Sequence, residues 1–327
     1  MKRITSLSDV STSDRGAYAA IGNFDGIHLG HQAVLDLTRK AAHAAEAPLG
    51  VLTFEPHPRE VFRPEDPPFR LMNAEARAHR LSKLGVDVLF ELPFDKPLFG
   101  LTDAEFCEQV IVDGLGLSGV AVGADFCFGK GRGGNVASLR QAGDALGFSV
   151  TAAELLHLEA EGERVSSTAI RNALAEGEVH KAASMLGHWH RIEGPVEHGA
   201  KRGRKLGYPT ANMSIAGLHP PRYGVYAVLV EVVTGPHAGN YRGVASLGVR
   251  PMFGESVANI ETHLFDFSGD LYDAHLSVGL VAYLRPEMKF DGVDRLIAQM
   301  DADSLRAQEI LSGIPITGFP DTGVRSK

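Results

Sequence analysis

The spacing of apolar residues changes character near the middle of this chain. In the first half, short apolar runs alternate with stretches whose apolar residues recur every three or four positions. The run at 18–22 reads as a buried strand ending at Gly22. An Ala-rich helix follows over 31–47, then a strand over 49–56 stopped by Pro56. A helix over 73–85 has Asn73 placed as its N-cap and Gly85 as its C-cap. Strand 86–94 leads to a helix over 102–116, which Thr102 opens with Glu105 three residues on, a capping box. Strand 118–126, helix 135–147 and strand 148–155 complete the series. Strands separated by helices of this length predict a parallel sheet covered by helices on both faces.

After about residue 187, glycine and proline become frequent and the long helical periods stop. Strand-like runs follow at 190–199, 224–233, 241–249, 258–267 and 275–284, and one helix closes the series at 291–311. Even-spaced strands with Gly-rich turns predict a small antiparallel barrel. The boundary falls near 186–191. The organisation is then a first domain over 1–186, a second over 187–312 and a tail over 313–327.

A length of 327 residues fits two domains. The net charge of −8 argues against a general polyanion-binding face, so no nucleic-acid partner is expected and any phosphate is handled locally. Two cysteines, Cys107 and Cys127, make neither a disulfide framework nor a thiolate zinc site, and a reducing cytoplasm is the default location. The N-terminal segment carries no apolar h-region, and no uncharged apolar run reaches the roughly 18 residues of a membrane helix, so no membrane partner is expected. The oligomeric state is open, a homo-oligomer included.

The candidate chemistry gathers in a few segments. GNFDGIHLGH (22–31) lies between a strand and a helix. His28 and His31 could be half of a metal site, two structural imidazoles, or donors to phosphate at a helix start. No third ligand stands at metal spacing. SSTAIR (166–171) sets Ser166, Ser167 and Thr168 before a helix ending at Gly177, with Arg171 one turn in. Hydroxyls and free N–H groups there suit phosphate, although a hydroxyl could simply cap the helix. In the second half, GAKRGRKLGYPTAN (199–212) is a basic, Gly-rich turn without the Gly-Lys-Ser/Thr of a Walker loop. In NIETHLFDF (259–267), period two places Glu261, His263, Phe265 and Phe267 on one face. An acid among apolar residues is costly unless it is exposed or used.

These segments together resemble the bacterial bifunctional riboflavin kinase/FAD synthetases. His28-Leu29-Gly30-His31 matches the His-x-Gly-His signature of nucleotidylyltransferases, and TFEPHP (53–58), VGADFCFGKGRGG (122–134) and VSSTAIR (165–171) match further blocks in order. The resemblance implies a nucleotidylyltransferase-like, Rossmann-like parallel α/β domain making FAD from FMN and ATP. A riboflavin kinase barrel would make FMN from riboflavin and ATP, with Mg²⁺ as the cofactor. It implies catalytic roles for His28, His31, Arg171 and Glu261, the last as the base for the riboflavin 5′-hydroxyl. ATP contacts are implied at Gly22, Asn23, Phe24, Asp25, His28, His31, Asp125, Ser166, Ser167 and Thr168. In the second domain they are implied at Gly203, Lys205, Thr210 and Asn212, with Thr210 and Asn212 also meeting Mg²⁺. Flavin contacts are implied at Pro56, His57, Phe126, Arg250 and Arg285. The alternatives are retention of one activity only, or a non-catalytic flavin or nucleotide sensor.

Overall fold

Short apolar runs, each followed by a helix long enough to carry the chain back, pair side by side as parallel strands. In the computed structural model of the chain, the described residues are 1–154, 156, 164–198, 207–252 and 255–317, with the backbone alone at 250–252 and 255–257. Contacts divide the chain into two units. The first is Met1–Asp66 with Arg77–Val165; the second is Pro67–Ala76 with the chain from Ser166 onward.

The strands of the first unit are β1 (Lys2–Ile4), β2 (Tyr18–Ile21), β3 (Leu49–Glu55), β4 (Val88–Pro93) and β5 (Gly119–Gly123), then a small ribbon of β6 (Cys127–Phe128) and β7 (Gly134–Asn135), then β8 (Ser149–Ala153). The main sheet runs β1-β4-β3-β2-β5-β8, with every neighbouring pair parallel. β3 and β4 lie on one side of β2, and β5 and β8 on the other. The winding therefore reverses at β2, and ligands of such sheets bind beyond the carboxyl end of that strand.

The helices here are α1 (Leu29–Ala44), α2 (Pro58–Phe62), α3 (Ala74–Lys83), α4 (Lys96–Phe99), α5 (Asp103–Glu105) and α6 (Val136–Leu146). One sheet face packs Ile21, Leu52, Phe90 and Val122 against Phe106, Ile111 and Leu139. The alternating residues Ala20, Val51, Leu89 and Ala121 are buried as well, which places helices on the second face too. Asn73 caps α3 through Ala76 N–H at 2.8 Å, and Thr102 and Glu105 form their capping box. The helix expected over 102–116 continues past α5 as a π-helix, Phe106–Gly114. Its wider turn brings Phe106, Cys107, Val110 and Ile111 onto the core.

The second unit holds α7 (Ser167–Glu176), α8 (Val179–Leu186), β9 (His190–Pro195), β10 (Ala211–Ser214), β11 (Gly224–Val232), β12 (Gly239–Met252), β13 (Glu255–Leu264), β14 (His275–Arg285) and α9 (Val293–Ser312). Six strands run β10-β13-β12-β11-β14-β9, all antiparallel. Glu197 N–H donates to the Asn212 carbonyl at 2.8 Å, nearly closing the barrel between its end strands. β10 is a strand the hydrophobic pattern does not mark, because only four residues alternate. α8 and α9 cover the barrel's outer face, packing Ala183, Ala307 and Leu311 on Ala227, Leu229 and Val281. By contacts, α7 and α8 group with this unit, whereas the sequence texture changes only after them. Among the described residues no helix is long and apolar enough to cross a membrane.

Acid weakens this unit through His190 on β9. Burial first, and the neighbouring His219 second, push His190 down from 6.5 to about 4. Between those values the unfolded chain binds a proton that the folded chain refuses, so stability falls as pH falls. Each pH unit is worth about 1.4 kcal/mol, giving a loss of about 3 kcal/mol by pH 4. Chemical denaturation followed at several pH values checks this. His190→Phe should flatten the slope below pH 6.5; an unchanged slope would remove His190 as its cause.

Candidate functional site

The loop leaving β2 turns sharply before α1. Phe24 and Ile27 stand at φ 51° and 44°, beside Gly26 at 86°. Left-handed backbone at a β-branched residue costs about 1–3 kcal/mol and persists only where the surroundings impose it. Here Gln32 Nε2 donates to the Ile27 carbonyl at 2.8 Å, and Thr53 Oγ1 to the Asn23 carbonyl at 3.3 Å. α1 begins at Leu29, two residues earlier than the apolar period predicts, because an imidazole caps it. His28 Nδ1 accepts the His31 backbone N–H at 3.3 Å. Its ring hydrogen is therefore on Nε2, which makes that atom a donor. The His28 and His31 rings stack at 3.7 Å, and Phe24 leans on His31 at 5.0 Å. A Cβ at Gly30 would lie 3.0 Å from His28 Cε1, so a side chain there would push the cap aside. Burial, then the nearby His28, holds His31 well below 6.5. The His31 ring thus acts as a neutral hydrogen-bonding group, so the stacked rings are not a cationic pair. His31 Nδ1 is buried and has no hydrogen-bond partner among the described residues.

Behind this loop lies an ion network the sequence does not announce. Arg77 on α3 is 1% exposed and donates to Glu91 at 2.6 Å and to Glu55 at 2.7 Å. Arg3 Nε holds the other oxygen of Glu91 at 2.8 Å. Arg77 also reaches the Asn23 carbonyl at 3.4 Å. Beyond Glu55, Pro56 is exposed, and His57 is buried as the cap of α2, accepting from Arg59 N–H at 3.1 Å. Phe62, at the end of α2, is 62% exposed and meets Phe94 and Phe99 edge-on at 5.6 and 5.3 Å. Residue-by-residue reading misses this aromatic cluster, because its rings come from three separate segments. Phe126 stacks on Phe128 at 5.5 Å at the core's margin, and exposed Asp125 pairs with Arg164.

In the second unit, Ser166 caps α7 by accepting from Ala169 N–H at 3.2 Å. Ser167 and Thr168 therefore form its first turn. Arg171, one turn in, donates to the Phe69 carbonyl at 3.2 Å and to Thr168 Oγ1 at 3.4 Å. The glycine-rich basic turn with Gly203 and Lys205 lies outside the described residues, as does the Arg250 side chain.

The barrel register builds a row across its strands. Asn212 on β10 stands directly opposite Glu261 on β13, Glu261 opposite Ser246 on β12, Ser246 opposite Val225 on β11, and Val225 opposite Arg285 on β14. Residues paired in this way project to one face. It is the outer face, because the alternating neighbours Ala211, Thr262, Ala245 and Tyr226 are the fully packed ones. Glu261 and His263 share that face, as period two predicts; Phe265 and Phe267 lie beyond the end of β13. Thr210 immediately precedes β10, and Asn212 Nδ2 donates to the Thr210 carbonyl at 3.2 Å. Arg285 grips Asp303 on α9 with Nε at 3.0 Å and a terminal nitrogen at 2.7 Å. Its donors thus hold the helix to the barrel.

Comparison with known proteins agrees with this two-part construction. The FAD synthetase family model matches residues 10–169, and the riboflavin kinase family model matches 186–311. A bifunctional riboflavin kinase/FMN adenylyltransferase of Pseudomonas fluorescens is 42% identical over 95% of this chain and 98% of its own. One of Escherichia coli K12 is 37% identical over 94% and 97%. A Streptococcus pneumoniae crystal structure titled as a macrolide-efflux protein superposes with a TM-score of 0.79 at 31% identity, covering 96% of this chain and 99% of that one. The chain belongs to the bifunctional riboflavin kinase/FMN adenylyltransferase family, its FAD synthetase match falling in the first half and its riboflavin kinase match in the second.

Proposed function

We propose that the barrel unit transfers the γ-phosphoryl group of ATP to riboflavin, giving FMN and ADP. The FMN phosphate then attacks the α-phosphorus of a second ATP, giving FAD and pyrophosphate. The observation that carries the reading is the row that sets Glu261 beside Asn212. A hydroxyl nucleophile profits from a base, and Glu261 accepts the 5′-hydroxyl proton as the new P–O bond forms. Thr210 and Asn212 supply neutral oxygen donors, which suit Mg²⁺ carried on ATP phosphates. Among the described residues no cluster of three or more His, Cys, Asp and Glu offers it a separate site. The bound metal would neutralise phosphate charge; orienting the nucleotide falls to Thr210, Asn212 and the basic turn.

For adenylylation, the FMN phosphate is already anionic and needs no base. What it needs is a place for charge to settle on the transferring group and on pyrophosphate. The β2–α1 loop sits at the switch point of the sheet and offers Gly22 to Asp25, the His28 Nε2–H and the His31 ring. Ser167, Thr168 and Arg171 are assigned to phosphate from the helix start they form. Pro56, His57 and Phe126 are assigned to flavin, and Phe62, at the end of the helix that His57 caps, adds an exposed aromatic face. ATP as donor in both steps goes with action in the cytoplasm.

His31→Ala tests the first site. Removing one charge-stabilising donor should slow FMN-to-FAD conversion by about 10²–10³-fold while riboflavin phosphorylation persists. If both activities fell together in folded protein, or neither fell, the two-site assignment would be wrong.

A further inference from the structure

Thr210 and Asn212 can serve ATP only if the turn that carries them is fixed, and the turn is short. Pro209 and Thr210 precede β10, a strand of four residues at the edge of the barrel order. An edge strand this short places little constraint on its own leading residues. The structure supplies two local bonds instead. Asn212 Nδ2 holds the Thr210 carbonyl at 3.2 Å. One residue earlier, His263 Nδ1 lies 2.8 Å from the Pro209 carbonyl. A carbonyl only accepts, so the imidazole must carry its hydrogen on Nδ1. Tyr208, the residue before, packs on the His263 ring at 5.0 Å, and its hydroxyl donates to Asp301 on α9. His263 is two residues beyond Glu261 on β13, on the same face. One strand therefore presents both the carboxylate and the group that pins the turn facing it.

We propose that His263 is a positioning residue for riboflavin phosphorylation: its Nδ1–H fixes the Pro209 carbonyl and so holds Thr210 and Asn212 in register with Glu261. This rests on the assignment of Thr210 and Asn212 to Mg-ATP given above. His263 touches neither substrate nor reacting atoms, and it acts through the backbone of the turn. Its loss frees that backbone rather than removing a ligand. The effect therefore falls on kcat/KM for Mg-ATP, with KM for riboflavin little changed.

The test uses the full chain, with riboflavin phosphorylation and FMN adenylylation measured side by side. His263→Ala should lower kcat/KM for Mg-ATP in phosphorylation by up to about 100-fold, the cost of misplacing a contacting group by about 1 Å, and leave adenylylation as it was. Asn carries an N–H close to where imidazole Nδ1 lies, whereas Gln carries it one bond farther out. His263→Asn should therefore restore most of the loss, and His263→Gln should not. Thr210→Ala runs in parallel. If Thr210→Ala impairs phosphorylation and His263→Ala does not, the positioning role is overturned and the Mg-ATP assignment stands. If Thr210→Ala has no effect, that assignment fails and takes the positioning role with it. Should His263→Ala lose both activities by unfolding, the Asn and Gln variants decide: equal activities overturn the proposal.

Discussion

Glu261→Gln stops riboflavin phosphorylation and leaves the conversion of FMN to FAD running. Glutamine keeps the size of the side chain and most of its hydrogen bonding, but it cannot take a proton. Loss of a positioned general base costs about 10²–10⁴-fold in rate. The position is favourable for such a base. Glu261 is half-buried on the outer face of the barrel, opposite Asn212 on one strand and Ser246 on the other. Chromatography of the flavins, starting separately from riboflavin and from FMN, reads the two steps independently. Phosphorylation that survived within tenfold of wild type would remove Glu261 as the base.

Arg77→Met should cost the first unit about 3–5 kcal/mol, the range for removing one partner from a buried ion pair. Methionine fills the volume but takes the Arg77 guanidinium away from Glu91, which is 3% exposed and keeps Arg3, and from Glu55. For a unit of this size the thermal midpoint should fall by about 10 °C. Arg77 also touches the Asn23 carbonyl, so adenylylation should be lost at temperatures where phosphorylation continues. Arg77→Lys should recover only part, because an ammonium cannot serve both carboxylates in a fixed fork. Thermal inactivation of the two activities, followed separately, checks this; equal midpoints for wild type and Arg77→Met would show that the network holds nothing in place.

How far the sequence carries depends on how local the cause is. The parallel sheet, the capping box at Thr102 and the helix C-cap at Gly177 each follow from neighbouring residues, and all are present. The shared face of Glu261 and His263 follows from strand period alone. His28 as a helix cap does not, because capping is usually done by Ser, Thr, Asp or Asn. Arg77 could not be read either: its partners are 14, 22 and 54 residues away along the chain. Nor could the grip of Arg285 on Asp303, which requires α9 to lie on the barrel. β10 escapes because four residues are too few for a period to show. The candidate residues could thus be named from motifs, but the bonds that aim them come from folding.

The most direct measurement follows flavins over time when the purified chain receives riboflavin and Mg-ATP. FMN should rise first with ADP, and FAD should then replace it with release of pyrophosphate. In the same assay Glu261→Gln should leave riboflavin untouched, and His31→Ala should stop at FMN. Riboflavin that stays unchanged with folded wild-type protein would rule out the assignment of both steps to this chain.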